Sequence, residues 1–181
     1  MSKDGLYFIA ILPPDNITNR VQEVKKEFMN KFDSKEAYHK PPHFTLQIPF
    51  KVPEKIEEII VPHLTYFAED QESFTVHLSG FNHFRDDVIF IDVKDPSSMK
   101  ALHGNLMEYL QNELGFTKTN KSFTPHMTLA YRDLTPDNFE RAWEEFQDRS
   151  FDFSFEVNSI FLMKHDFQQW QPFYEFKFEK S

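Results

Sequence analysis

The sequence predicts an α+β fold in which two pseudo-symmetric β-α-β-α-β lobes, each with an antiparallel sheet, pack around a central cleft. Strand-like and helix-like patterns alternate along the 181 residues, and the same order of elements occurs twice. A Pro-His-x-Thr-Leu motif occurs once in each copy, at 42–46 and 125–129, which are 83 residues apart. We therefore expect a single bilobal domain over 1–181, with one lobe at about 5–84 and the other at about 87–178.

The elements of the first half follow from apolar spacing. The run over 6–12 is apolar and stops at two prolines, which predicts a buried strand. Asp15 can cap a helix whose apolar residues recur every three or four positions. An alternating strand is expected over 41–48, a second helical pattern begins at Pro53, and alternation over 74–79 predicts a further strand.

The second half repeats this order and then adds two strands. Leu6 and Ile89, in the first strand of each half, are separated by the same 83 residues as the motifs, so we expect them to be equivalent. Gly115 is expected to end the long helix of this half. The predicted elements are strands over 88–93, 124–129, 151–157, 160–163 and 173–178, and helices over 97–114 and 135–146.

Composition excludes several classes of protein. The net charge is −9, from 29 acidic and 20 basic residues, which is unsuited to duplex DNA because that partner requires many phosphate-neutralising cations. The absence of cysteine excludes disulfides, a thiol nucleophile and a thiolate zinc site. The apolar run at 6–12 is too short for a signal peptide, and no stretch is long enough to cross a bilayer. We expect a cytoplasmic monomer that does not bind membranes.

The two motifs carry the chemistry. Side chains alternate along a strand, so His43 and Thr45 should share one face, as should His126 and Thr128. Two imidazoles can serve as base and acid, since an unperturbed pKa of about 6.5 allows either protonation state near neutral pH. Threonine hydroxyls can donate to phosphate oxygens. Gln47 lies on the same face as His43 and is a candidate substrate-binding residue.

The motifs resemble those of the 2H phosphoesterase superfamily, in particular its bacterial 2′-5′ RNA ligase-like branch. The opening segment 6–13 and the segments 80–84 and 88–91 are also similar to that branch. The resemblance implies hydrolysis of 2′,3′-cyclic phosphodiesters, or joining and cleavage of 2′-5′ RNA linkages, on a small nucleotide or an RNA end. It implies no metal and no cofactor, with His126 as the base towards water and His43 as the acid.

The residues around the motifs leave alternatives open. Phe84 is a candidate to line the cleft and stack on a base, although core packing is an equal alternative. Tyr131 alternates with the apolar residues and is expected in the core, while Arg132 would lie about 20 Å from His126 on an unbroken strand. A different small cyclic phosphate, such as an ADP-ribose derivative, and a non-catalytic nucleotide-binding module remain alternative functions.

Overall fold

The computed structural model describes residues 3–180, and every predicted strand and helix is present within that range. No helix in this part of the chain has the length and apolar character needed to span a bilayer. The elements are β1 (Asp4–Ile11), α1 (Asp15–Phe32), β2 (Phe44–Pro53), α2 (Glu57–Glu69), β3 (Phe74–Phe84), β4 (Val88–Val93), α3 (Ser97–Leu114), β5 (Met127–Ala130), α4 (Pro136–Phe146), β6 (Asp152–Val157), β7 (Ser159–His165) and β8 (Trp170–Lys177), with a 3₁₀ turn at Glu54–Ile56 before α2.

The strands form two four-stranded sheets, which confirms the predicted α+β class. The strand orders are β2-β1-β7-β8 and β5-β4-β3-β6. Every adjacent pair in both sheets is antiparallel. Strands β2 and β5 begin within the two motifs, and each is the edge strand at the same end of its sheet. The two sheets therefore present the two copies of the motif in the same way.

The sheets do not follow the expected contiguous lobes at about 5–84 and 87–178. Strand β3, from the first half of the chain, pairs with β4 and β6, while β7 from the second half pairs with β1. A tight turn at 85–87 joins β3 to β4, so these strands pair as a hairpin. Periodicity identifies a strand but does not reveal its neighbour, so the repeat by itself could not show which strands share a sheet.

The strand register also differs from the predicted equivalence of Leu6 and Ile89. Ala10 lies opposite Thr45 in the first sheet, and Phe90 lies opposite Thr128 in the second. The threonines are 83 residues apart, whereas the strand residues that face them are 80 apart. The second copy therefore has three more residues than the first between the strand residue that faces the threonine and the threonine itself.

The ends of several elements show which local signals were correct. Gly115 ends α3 in the left-handed conformation, as predicted, with φ of 69°. Pro14 rather than Asp15 occupies the N-cap of α1, and no side chain caps that helix. Both motif strands begin one residue after the histidine, because the preceding prolines lack the N–H that a ladder hydrogen bond needs.

Helix α1 connects the two sheets, because it follows β1 but packs against β5 and α4. Phe28 of α1 is fully buried, and its ring stacks on that of Phe146 in α4 at 4.7 Å between centroids. Ile9 of β1 and Ile89 of β4 belong to the same continuous core. Both motifs are thus supported by a shared hydrophobic interior, which limits their relative movement.

Candidate active site

The four predicted catalytic side chains line one cavity of about 230 Å³. His43 and His126 lie immediately before β2 and β5, while Thr45 and Thr128 lie within those strands. All four are half-buried, whereas the alternating neighbours Phe44, Leu46, Met127 and Leu129 are buried in the core. The fold therefore brings together two imidazole–hydroxyl pairs that belong to different sheets.

The backbone fixes the tautomer of both imidazoles. His43 Nδ1 lies 2.6 Å from the carbonyl oxygen of Pro41, and His126 Nδ1 lies 2.8 Å from that of Thr124. A carbonyl can only accept a hydrogen bond, so each Nδ1 carries the proton and donates it. Each Nε2 is consequently the atom that can accept or deliver a proton.

Aromatic rings hold both imidazoles in place. Phe8 of β1 packs on His43 at 5.0 Å between ring centroids, and Phe84 packs edge-on against His126 at 4.9 Å. Phe84 supports a histidine in this way, and it is not among the described residues that line the cavity. Gln47 is also outside that set, because its side-chain amide donates to the carbonyl of Ile48 at 3.2 Å.

The cavity is positively charged although the protein is acidic. Lys25, Lys40 and Arg132 line it, and none of the described lining residues is a carboxylate. This local excess of cations contrasts with the net charge of −9 for the whole chain. A small anion is the ligand that such a wall favours.

Arg132 reaches the cavity because the strand predicted to carry it ends early. Strand β5 stops at Ala130, and Arg132 has a left-handed backbone with φ of 63°, so the chain turns back towards the site. Tyr131, expected in the core, lines the cavity instead. Its ring lies 4.9 Å from Lys40 Nζ and 5.0 Å from Arg132 Cζ, so it packs between two cations.

Lys25 lines the cavity, and the sequence patterns did not indicate it. It lies on the buried face of α1 between Val21 and Phe28, and only 2% of its surface is exposed. Its Nζ donates to the carbonyl oxygens of Ala37 at 3.0 Å and Lys40 at 2.9 Å. A charged residue inside an apolar helical stripe was the available signal. Burial lowers the pKa of Lys25 to about 7, and the charge of Lys40 acts in the same direction.

The protonation of the histidines follows from this environment. Burial lowers the pKa of His43 from 6.5 to about 4, while its hydrogen bond to Pro41 has a smaller opposing effect. The nearby charges of Lys25 and Lys40, and of His126 when protonated, depress the pKa of His43 further. Burial also lowers the pKa of His126, against the hydrogen bond to Thr124. Both rings are therefore neutral at pH 7.

A third His-x-Thr sequence, at 63–65, is not among the described residues that line the cavity. His63 is on α2, with Nδ1 3.0 Å from the hydroxyl of Tyr109, and Thr65 donates to a carbonyl within its own helix.

Trp170 lines the cavity and packs edge-on against Phe8 at 4.6 Å between ring centroids. Trp170 begins β8, and no local pattern indicated that the last strand would lie beside this site.

Several known proteins are similar to this chain. A protein from Bacillus cytotoxicus, provisionally named a phosphoesterase, is 28% identical over 127 residues, which cover 68% of each sequence. Another with the same provisional name, from Bacillus licheniformis, is 24% identical over 128 residues, covering 70% of each.

Among solved structures, E. coli LigT complexed with 3′-AMP superposes with a TM-score of 0.68 at 21% identity, covering 98% of this chain and 100% of that one. The protein TT0787 of Thermus thermophilus gives a TM-score of 0.70 at 17% identity, covering 97% of this chain and 99% of that one. At these identities the structural likeness establishes a shared fold.

A family model described as the 2′-5′ RNA ligase superfamily matches residues 13–169, a range that contains both motifs and most of the two sheets. This match confirms the resemblance to 2H phosphoesterases and their RNA ligase-like branch that the two motifs indicated. The chain belongs to the 2′-5′ RNA ligase superfamily.

Proposed function

We propose that this protein is a metal-independent phosphoesterase that hydrolyses 2′,3′-cyclic phosphodiesters, or cleaves and joins 2′-5′ RNA linkages, on a small nucleotide or an RNA end. The observation that carries this proposal is the single cavity lined by both His–Thr pairs and by the basic side chains of Lys25, Lys40 and Arg132. Two imidazoles provide a base and an acid, two hydroxyls provide donors, and the cations attract the phosphate.

Hydrolysis needs one proton removed and one delivered. Nε2 of one histidine takes a proton from water as the water oxygen forms a bond to phosphorus. The bond from phosphorus to a ribose oxygen breaks, and Nε2 of the other histidine donates a proton to that oxygen. The family resemblance assigns the base to His126 and the acid to His43, with the roles exchanged in ligation. Thr45 and Thr128 would donate to the non-bridging oxygens.

The dimensions and lining of the cavity favour a nucleotide end over a long polymer. Its volume of about 230 Å³ suits a phosphate with part of a sugar. Trp170, which is half-buried in the wall of the cavity, offers aromatic surface on which a base could pack, while Phe8 behind it is buried. E. coli LigT, which shares the fold, has been crystallised with 3′-AMP, with ATP and with NADP+, and this supports a small nucleotide ligand here.

Turnover of 2′,3′-cyclic nucleotides in the presence of a metal chelator tests the proposal. We expect the purified protein to produce a nucleoside monophosphate, and a 2′-5′-linked dinucleotide should be assayed in parallel. Turnover restricted to a cyclic phosphate of ADP-ribose would favour the alternative substrate. Tight nucleotide binding without product from any substrate would instead identify a non-catalytic binding module.

Anion binding should be accompanied by proton uptake. The pKa of His43 is lowered to about 4 and that of Lys25 to about 7, and a bound anion beside them should raise both. Protons are therefore taken up on binding, and affinity should increase as the pH falls from 7 towards 5. Sulfate is a suitable probe because it does not titrate in this range. Calorimetry in buffers of different ionisation enthalpy measures the uptake, and a pH-independent affinity would contradict the prediction.

A further inference from the structure

The segment from Ser34 to Lys40, which we call the bridge segment, connects α1 to the first motif. It is followed by Pro41, whose carbonyl oxygen accepts the hydrogen bond from His43 Nδ1. It contains only short turns, with backbone bonds from Tyr38 to Lys35 and from Lys40 to Ala37. The Ser34 N–H also donates to the carbonyl of Phe28 at 3.2 Å, and the other hydrogen bonds that hold the segment come from the side chains of Lys25 and Asp133.

Lys25 holds the carboxyl-terminal part of the bridge segment. Its buried Nζ donates to the carbonyl oxygens of Ala37 and Lys40, and the latter residue lies three positions before His43. An ammonium has three N–H donors, so these two bonds leave one further donor on a group that lines the cavity. The second of the two bonds ends at the last residue of the segment, close to the catalytic histidine.

Asp133 holds the amino-terminal part of the same segment. One carboxylate oxygen accepts from the Ser34 hydroxyl at 2.7 Å, and the other accepts from the backbone N–H groups of Lys35 at 2.8 Å and Glu36 at 3.1 Å. Asp133 follows directly after Arg132, three residues beyond the end of β5. The bridge segment is thus tied to the chain that leaves the second motif.

We propose that Lys25 and Asp133 are positioning residues that together fix the bridge segment, and so set His43 relative to His126 and Arg132 across the cavity. This inference rests on the proposed function, because it concerns how the two histidines are aligned for phosphoryl chemistry. One contact comes from helix α1 and the other from the loop after the second motif. Each motif is therefore aligned partly by the other half of the molecule.

The alignment has an energetic reason. Acid–base catalysis requires each Nε2 within hydrogen-bond reach of its oxygen, and a displacement of about 1 Å can cost about 10²-fold in rate.

Lys25 also supplies a buried positive charge beside His43 at the pH where that ring titrates, and the charges of Lys40 and of protonated His126 act in the same direction. Removing that charge should therefore raise the pKa of His43.

Lys25→Met tests the first contact, since methionine retains an unbranched apolar stem without donors. We expect kcat to fall by about 10–100-fold, because a misplacement of the catalytic ring by about 1 Å can cost up to about 10²-fold in rate. The pKa of the His43 ring, followed by NMR, should move upwards. Lys26→Met is the matched control, because Lys26 is the exposed neighbour on α1 and should leave both quantities unchanged. Wild-type kcat together with an unshifted His43 would overturn the proposal.

Asp133→Asn tests the second contact and serves if Lys25→Met fails to fold. An amide keeps one acceptor oxygen and carries no charge, so it cannot accept at both former oxygen positions, and the bonds from the Lys35 and Glu36 N–H groups lose their charge assistance even where they persist. We expect faster hydrogen exchange at the amides of Lys35 and Glu36 and a fall in kcat, with Asp148→Asn, at an exposed position, as control. Unchanged exchange and unchanged kcat would overturn the coupling. Both the exchange and the NMR titration are measurable in a protein without activity, so a failed assay on the wild type would reject the function alone.

Discussion

Replacement of either motif histidine by alanine should reduce turnover of a 2′,3′-cyclic nucleotide by about 10²–10⁴-fold. His43 and His126 line the same cavity and bond the backbone through Nδ1, which leaves Nε2 as the atom that exchanges a proton. Neither ring can replace the other, because one proton must be removed while another is delivered at a second oxygen. Steady-state kinetics with each variant measures the effect.

The two substitutions should not be additive. Once the base or the acid is lost, the remaining imidazole no longer acts in a concerted proton transfer, so the double variant should resemble the slower single variant. His63→Ala is the matched control, because His63 lies on α2, bonds Tyr109 and is not among the described residues that line the cavity. Full activity in both single variants would exclude the two-histidine mechanism.

Phe28→Ala should lower the free energy of unfolding by about 3–5 kcal/mol. The Phe28 ring, on α1, is fully buried. Its centroid lies 4.7 Å from that of Phe146, on which it stacks, and 5.6 Å from that of Phe32. Alanine would leave a cavity between α1 and α4, in the contact that joins the first half of the chain to the second. Urea denaturation monitored by circular dichroism measures the change.

An exposed phenylalanine provides the comparison for Phe28. Phe167 lies in the turn between β7 and β8 with 69% of its surface exposed, and Phe167→Ala should change stability by no more than about 0.5 kcal/mol. A similar small effect for Phe28→Ala would indicate that α1 does not depend on its contact with α4. The shared core would then not be what keeps the two motifs in place.

Much of the candidate site follows from local sequence. The duplicated Pro-His-x-Thr-Leu motif identified His43, Thr45, His126 and Thr128, and alternation correctly separated them from the buried residues between them. Proline before each histidine also has a local consequence, since it delays the start of β2 and β5 by removing a backbone donor. Such features depend only on residues that are near each other in the chain.

The sequence by itself therefore determined the elements, their antiparallel α+β class and the four motif residues. Only the tertiary structure decided that β3 and β7 join the sheet of the other half, and that Lys25, Arg132 and Trp170 reach the same cavity. The physical reason is that periodicity records which face of an element is buried but not what covers it. Lys25 is a cation within an apolar stripe, and Arg132 itself has a left-handed backbone. Both reach the cavity only through long-range contacts.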